Sequence, residues 1–291
     1  MHSRWLLYCS LLLLLFLPHL VKGQGGWVRD TGSVYARCAF TTLSTTRYYD
    51  QRGDTSTIPR LGITTANLYV EYGFVQDVML IADAQLLRRT SIDGVGDALG
   101  FGDIVLGARY ALVKDAWPIS VGVALDLPTG NPAAQIVNKR GDSLAAPSGD
   151  GEMSLRIMAG LSHSFWPING FISVDAGYDL RGVVVRDAVA NSGDGTVRDQ
   201  VRLSVKAGYQ PVEALWLTLT AMRLQAVGPE VAGRYSVLGM GDGVEWTAWT
   251  AGASWNVTSS LSLSLEYSTA LPTPRSIFGG ANIIFGVAFS R

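Results

Sequence analysis

The segment SLSLSLEY, residues 260–267, alternates strictly between polar and apolar side chains. A β-strand places successive side chains on opposite faces of its sheet. One face of this segment is apolar and the other is polar, with Leu261, Leu263, Leu265 and Tyr267 against Ser262, Ser264 and Glu266. A strand that crosses a bilayer in a barrel needs one apolar and one wet face over roughly 9–11 residues. The segment therefore predicts a strand of a membrane barrel.

The same alternation recurs along the chain and predicts about twelve strands. Their ranges are 33–42, 62–73, 78–89, 102–112, 118–128, 152–164, 170–183, 199–209, 215–226, 243–256, 261–270 and 280–290. Short connections follow the even-numbered strands, and long polar loops follow the odd-numbered ones. An up-and-down barrel would then carry its short turns at one end and its long loops at the other. We predict an all-β fold, a transmembrane antiparallel up-and-down β-barrel of about twelve strands, with ten or fourteen as alternative counts.

A soluble β-sandwich also shows alternating strands and is the main alternative fold. The predicted strands are longer than the usual 5–6 residues, however, and the turn lengths are asymmetric. Aromatic residues also lie near the strand ends, where Trp and Tyr would meet lipid headgroups. These residues are Tyr72, Tyr110, Trp117, Phe165, Trp166, Phe171, Tyr209, Trp216, Trp255 and Tyr267. The combination favours the barrel.

The first 23 residues have the pattern of a secretory signal peptide, with a basic start, an apolar run from Trp5 to Leu17, and Gly23 before the expected cleavage point. A membrane anchor is the alternative interpretation of this run. We expect residues 24–291 to form one outer-membrane barrel domain. An even strand count would put both termini on the periplasmic side of a bacterial outer membrane.

Composition argues against several other functions. Without the leader, neither charge sign dominates, so no nucleic-acid-binding surface is indicated. One histidine, His163, and one cysteine, Cys38, remain outside the leader. Catalysis needs a nucleophile or proton carrier with a partner, and a zinc site needs several such ligands. We therefore predict no enzyme, no cofactor and no metal site, with a structural role for His163 favoured over a hydrolase.

Charged residues within the strands predict the inner face of the barrel. A charge that faces hydrocarbon costs a few kcal/mol, so these side chains belong inside. The lumen-lining candidates are Glu71, Asp83, Asp103, Arg109, Asp126, Glu152, Arg156, Asp175, Asp179, Arg181, Arg202, Lys206 and Glu266. We expect Asp103 beside Asp126, with Arg109 nearby. Two interpretations stay open: the charges select solutes along a polar pathway, or they form ion pairs that fill the interior and brace the wall.

The final strand, GANIIFGVAFSR at residues 280–291, places Ile283, Phe285, Val287 and Phe289 on one face. It resembles the C-terminal assembly signal of bacterial outer-membrane proteins, although Ser290 and Arg291 follow the last aromatic residue. The resemblance implies the outer-membrane assembly machinery as a partner.

Four further runs carry a family resemblance. They are NLYVEYGFVQDVMLIADAQLL (67–87), GFGDIVLGARYAL (100–112), VGVALDLPTGNP (121–132) and AGYDLR (176–181). These runs resemble the outer-membrane transporter family named for the meta-cleavage pathway of phenol degradation, which implies a Gram-negative β-barrel and uptake of aromatic or hydrophobic compounds. A looser comparison is the fatty-acid and hydrocarbon channel superfamily, whose barrels carry an N-terminal plug. Only residues 24–32 precede the first predicted strand, so we expect no plug here.

The sequence as a whole predicts a channel or transporter for passive passage of small solutes, aromatic or hydrophobic compounds among them. Outer-membrane lipid and an unidentified small solute are its expected partners. The alternative is a closed structural or surface-interaction barrel, with Ile58 to Leu61 and residues 129–151 as binding loops.

Overall fold

The structure is a computed structural model that describes residues 25–185, 197–229, 236–237, 240–271 and 274–291. In these ranges, twelve long antiparallel strands form one sheet, which closes because the first strand pairs with both the second and the last. The predicted all-β barrel is confirmed. The predicted signal peptide at residues 1–23 lies outside the described residues. Within the described part of the chain, no helix is long and apolar enough to cross a bilayer.

We number the barrel strands β1 to β12 in chain order. They are β1 Val34–Tyr49, β2 Thr55–Val75, β3 Val78–Ile92, β4 Ile104–Val113, β5 Ile119–Leu127, β6 Glu152–Ser164, β7 Gly170–Val185, β8 Gln200–Val212, β9 Leu215–Ala226, β10 Trp246–Asn256, β11 Leu261–Ala270 and β12 Ala281–Ser290. Each predicted range overlaps one of these strands. Short segments extend the sheet, with Gly96–Gly100 paired to β3 and Ile277–Phe278 paired to β1.

The two ends of the barrel differ in their connections. Residues 76–77, 114–118, 165–169, 213–214 and 257–260 form the turns after the even-numbered strands. We call this the short-turn end, and the opposite one the long-loop end. The chain enters and leaves the sheet at the short-turn end, where the Val34 amide donates to the Arg291 carbonyl oxygen at 2.8 Å.

The first connection is much shorter than the sequence predicted. Residues 43–61 were expected to be a loop, but β1 and β2 extend beyond the expected ends and only residues 50–54 connect them. Thr45 pairs with Leu61 and Arg47 with Thr57, so residues 58–60 form a bulge opposite a single residue. A bulge tolerates the proline at position 59, which signals a loop in sequence. The expectation that Ile58 to Leu61 form a binding loop is therefore wrong.

The outward-facing positions of the barrel are apolar and exposed. On β12, Phe285 is 57% exposed, and Leu265 on the neighbouring β11 is 52% exposed. Leu219 on β9 and Val123 on β5 are also more than half exposed. Monomeric soluble proteins rarely expose contiguous apolar surface of this extent. This surface fits the predicted contact with lipid hydrocarbon.

Candidate functional site: the barrel interior

Ion pairs between strands that are not neighbours identify the inner face. The Arg109 guanidinium on β4 lies 2.7 Å from the Asp175 carboxylate on β7, although β5 and β6 separate these strands in the sheet. Arg37 on β1 pairs with Glu266 on β11 in the same way, with β12 between them. In a closed barrel, side chains on separated strands meet only through the interior. These four side chains therefore point inward.

Asp179 on β7 forms the centre of a second ion-pair cluster. Its carboxylate is 2.5 Å from Nε of Arg156 on β6 and also pairs with Arg202 on β8. Asp179 is only 3% exposed, so its two arginines replace the water that a carboxylate would otherwise bind. Asp83 and Asp126 lie near the same arginines, and among the described residues the buried Oδ1 of Asp126 has no hydrogen-bond partner. With Arg181, which lies near Arg202, the cluster brings together six of the predicted inner charges, three acidic and three basic.

Arg181 and Glu152 lie next to the Asp179 cluster, on its side toward the long-loop end. Both side chains are buried and they form an ion pair with each other. Arg181 also donates to the Gly241 carbonyl oxygen at 3.0 Å, which ties the connection between β9 and β10 to β7. This connection is thereby drawn toward the barrel wall near the β6–β7 pair.

Asp103 fastens the long connection between β5 and β6. Its carboxylate accepts hydrogen bonds from the Gly130 amide at 2.9 Å and the Asp150 amide at 3.0 Å, near the two ends of that connection. Ile136, within the connection, is fully buried. Burial raises the pKa of the Asp103 and Asp150 carboxyls above the usual range, to about 6 in each case. Residues 129–151, expected to be a free binding loop, are therefore partly packed against the protein.

The expected proximity of Arg109 to Asp103 and Asp126 is wrong. Arg109 is six positions after Asp103 on an extended chain, which is roughly 20 Å at about 3.3 Å per residue. Asp103 therefore lies at the long-loop end and Arg109 at the short-turn end. Arg109 instead forms an ion pair with Asp175, which lies at the same height in the barrel.

Residues 25–33, which we call the N-terminal strap, lie inside the short-turn end. The Gly25 carbonyl oxygen accepts hydrogen bonds from Arg109 Nη1 at 2.6 Å and Ser120 Oγ at 2.7 Å. The Gly26 amide donates to Ser162 Oγ at 2.9 Å. These contacts tie the beginning of the strap to β4, β5 and β6. The sequence predicted no plug from the few residues that precede the first strand, and the structure places these residues, from Gly25 on, inside the barrel.

The strap crosses the interior and reaches the opposite side of the short-turn end. Arg29 pairs with Glu71 on β2 at 2.6 Å, and both side chains are at least nine-tenths buried. The Gly32 amide donates to the Gly73 carbonyl oxygen at 2.7 Å, just before β1 begins. A side chain at position 25 is excluded, because a Cβ there would lie 1.9 Å from Ser173 Oγ. The glycines of the strap therefore allow its close approach to the wall.

An aromatic cluster covers part of the inner wall beside the strap. Trp27 packs edge-on against Phe171 with ring centroids 5.6 Å apart, and Phe171 lies 5.6 Å from Trp216. Phe171 and Trp216 are 4% and 3% exposed, so their predicted position among the outer aromatic residues is wrong. Phe171 has the same strand parity as the inward-facing Asp175, and this parity could have identified it from sequence.

A cavity of about 830 Å³ lies beside the strap at the short-turn end. Its wall combines cationic, aromatic and hydroxyl side chains from the strap, β1, and β7 to β12. These include Arg29, Arg37, Lys206, Phe171, Trp216, Thr218, Ser254, Ser262 and Ser264.

Two arginines in this region were missed among the sequence candidates. Arg37 lies within the first predicted strand, so the argument that places charges inside could have identified it. Arg29 precedes every strand, and no periodicity assigns it to the interior. By contrast, His163 stacks on Trp117 with ring centroids 4.1 Å apart, and its Nδ1 is hydrogen-bonded to the Ala116 carbonyl oxygen at 2.7 Å. Because a carbonyl oxygen only accepts, His163 Nδ1 is the donor, and the ring braces the turn between β4 and β5.

In the described ranges, no group of three or more His, Cys, Asp or Glu side chains is placed to hold a metal ion. The ion pairs of the interior are made instead between arginines and carboxylates.

No protein-family model matches the chain, and no curated protein sequence matches it significantly. Solved structures are nevertheless similar. An outer membrane channel from Pseudomonas putida F1 is 15% identical with a TM-score of 0.71, covering 93% of this chain and 100% of that one. The NanC porin is 11% identical with a TM-score of 0.53, covering 86% and 98%. The KdgM porin, in complex with disordered oligogalacturonate, is 8% identical with a TM-score of 0.50, covering 89% and 99%. At these identities the similarity establishes a shared fold.

Proposed function

We propose that this protein is an outer-membrane channel through which small solutes pass passively. The observation that carries this proposal is a closed wall of twelve strands that is apolar outside and charged inside. Each large apolar side chain removed from water contributes about 1.5–3 kcal/mol, so the outer surface favours lipid strongly. The similar solved structures, an outer membrane channel and two porins, support the same function.

The lipid-facing band also supports a position in the bacterial outer membrane. Barrels of that membrane carry short turns on the periplasmic side and longer loops on the outside. The short-turn end, with both the strap and the last strand, would then face the periplasm. We retain the assembly machinery as the partner of the final strand on the basis of its sequence pattern.

Nine of the thirteen predicted inner charges would line the solute path as ion pairs, and the exceptions among the described contacts are Asp83, Asp103, Asp126 and Lys206. The Asp179 cluster with Arg156 and Arg202 lies midway between the strap and the long-loop end, so a solute crossing the barrel would pass it. Paired charges hold a defined shape because each arginine is fixed by a carboxylate. The family resemblance of residues 67–87, 100–112, 121–132 and 176–181 favours aromatic or hydrophobic solutes.

Flux through proteoliposomes tests the proposal. Purified protein should raise the permeability of vesicles to small ions and small aromatic solutes above that of empty vesicles. Asp179→Asn should shift the ion selectivity, measured as a reversal potential under a salt gradient, toward anions. Asp97→Asn is the matched control, because Asp97 pairs with Arg89 at the exposed rim, where both side chains are more than half exposed.

A closed barrel without transport is the second candidate function. It is favoured by the strap at one end and by the packed connection of residues 128–151 at the other. The flux experiment separates the two candidates. Permeability equal to that of empty vesicles, for ions and aromatic solutes alike, would reject the channel and leave the closed barrel.

A further inference from the structure

The cavity at the short-turn end contains a lysine that forms no ion pair with the described residues around it. Lys206 on β8 lines this cavity, and its charged neighbours are Glu266, Arg37, Glu71 and Asp175. Each of the three acids already has an arginine of its own, in the pairs Glu266–Arg37, Glu71–Arg29 and Asp175–Arg109. Within the part of the chain that the structure describes, Lys206 makes no hydrogen bond or ion pair. Glu213, an exposed turn residue, also lines the cavity but is not among the charged neighbours of Lys206. The Lys206 ammonium is therefore the cation of the cavity that no carboxylate pairs with.

Trp216 supplies a second polar group without a partner. Its side chain is 3% exposed, and its indole N–H has no hydrogen-bond partner among the described residues. Buried donors of this kind are nearly always hydrogen-bonded, to protein or to a bound molecule. Trp216 also lines the cavity together with Phe171, so a flat apolar surface lies in the same cavity as the Lys206 ammonium.

Hydroxyl groups line the wall formed by β9, β10 and β11. Thr218, Ser254, Ser262 and Ser264 all face the cavity, and Ser264 accepts a hydrogen bond from Arg37 at 3.3 Å. Hydroxyls both donate and accept hydrogen bonds, so this wall suits the polar substituents of a ligand. A cavity of about 830 Å³ is within the usual size range of small-molecule sites.

We propose that this cavity binds a small anion that carries an aromatic ring, such as an aromatic carboxylate. The carboxylate pairs with the Lys206 ammonium, and the ring packs against Phe171 and Trp216. Ring hydroxyls bind the serine and threonine wall. The assignment deepens the proposed channel function and rests on it for the route by which the solute arrives. Binding itself requires only the cavity.

Isothermal titration of the full-length protein in detergent tests this assignment. Benzoate, acetate and benzyl alcohol are titrated at neutral pH, with detergent alone as the blank. Benzoate shares its charge with acetate and its ring with benzyl alcohol, so we expect it to bind about tenfold more tightly than either. Equal binding of acetate and benzoate would overturn the role of the aromatic cluster. Absence of benzoate binding would overturn the assignment.

Variants at the lysine separate a specific site from general attraction of anions. Lys206→Met should weaken benzoate binding about tenfold, because a hydrogen bond to a charged group is lost, and should leave benzyl alcohol unaffected. Lys206→Arg should keep most of the affinity. Lys139→Met removes the same charge from an exposed position in the connection between β5 and β6, and it should bind benzoate like the unmodified protein. Equal losses in Lys206→Met and Lys139→Met would overturn the assignment.

The flux and binding experiments can reject the channel function and the binding site independently of each other. Benzoate binding that depends on Lys206, in a protein that conducts nothing in vesicles, would reject the channel and retain the site. Flux without such binding would retain the channel and reject the site.

Discussion

Gly160 on β6 faces the strap so closely that one added methyl group should displace it. A Cβ at position 160 would lie 2.2 Å from the Gly25 carbonyl oxygen and 2.3 Å from its carbonyl carbon. Backbone atoms cannot yield as the end of a flexible side chain does. Ordinary contact begins near 3.4 Å, so Gly160→Ala requires the strap to move by more than about 1 Å.

The movement would cost the two hydrogen bonds that the Gly25 carbonyl oxygen accepts. The one from Arg109, at 2.6 Å, involves a charged donor and contributes about 1.5–3 kcal/mol. The one from Ser120, at 2.7 Å, contributes about 0.5–1.5 kcal/mol. The lower limits together give about 2 kcal/mol, which corresponds to a roughly 30-fold shift toward the released strap.

Hydrogen exchange and single-channel recording measure this release. Gly160→Ala should speed amide exchange in residues 25–33 about 30-fold and should raise the conductance, while exchange in the barrel strands stays unchanged. Gly177→Ala on β7 is the matched control. It also adds a methyl group to the inner face, but its nearest neighbour, Arg156 Cδ, is 3.6 Å away, which is ordinary contact.

Two outcomes would refute the reasoning. In the first, Gly160→Ala matches Gly177→Ala in both exchange and conductance, which would mean that the strap is not held against β6. In the second, exchange speeds equally in the strap and in the strands, which would mean that the variant destabilises the barrel as a whole.

Three other variants address the long-loop end, the outer surface and the rim. Burial raises the pKa of Asp150 to about 6, so its carboxyl binds a proton more tightly when the connection is packed than when the connection is exposed to water. Protection of residues 128–151 from amide hydrogen exchange, corrected for intrinsic rates, should therefore increase as pH falls from 7 to 5. Asp150→Asn should reduce that pH dependence. Equal protection of the unmodified protein at both pH values would contradict this prediction. Leu265→Arg should lower the free energy of unfolding in lipid by about 2–4 kcal/mol, measured by denaturant titration, because it places a charge in hydrocarbon. Leu99→Arg, at the long-loop end, should change it little, and equal losses would exclude a lipid-facing β11. His163→Ala should leave flux unchanged and lower thermal stability through loss of stacking on Trp117, so a loss of flux at normal stability would argue for a functional histidine.

The charges of the strands were the most useful signal for the inner face. A single rule, that charged side chains avoid hydrocarbon, selected residues such as Arg156, Asp179 and Arg202, which the structure brings into contact. Applied to the whole of β1, the rule would also have found Arg37. It gave no pairing, because strand parity fixes the face of a residue but not its height in the barrel. Arg109 was therefore assigned the wrong neighbours.

The sequence by itself determined the all-β class, a count of about twelve strands, and the inward face of the strands that carry charges. All three follow from a period of two residues and from where the turns fall, which are local properties of the chain. Only the tertiary structure decided that the strap lies inside the barrel and that Arg109 binds both Gly25 and Asp175. These partners are 84 and 66 positions away in sequence, and they meet because closure of the sheet brings β4, β7 and the strap to one level. No local pattern records which strands meet across the interior, so the cavity beside Lys206 could be found only in three dimensions.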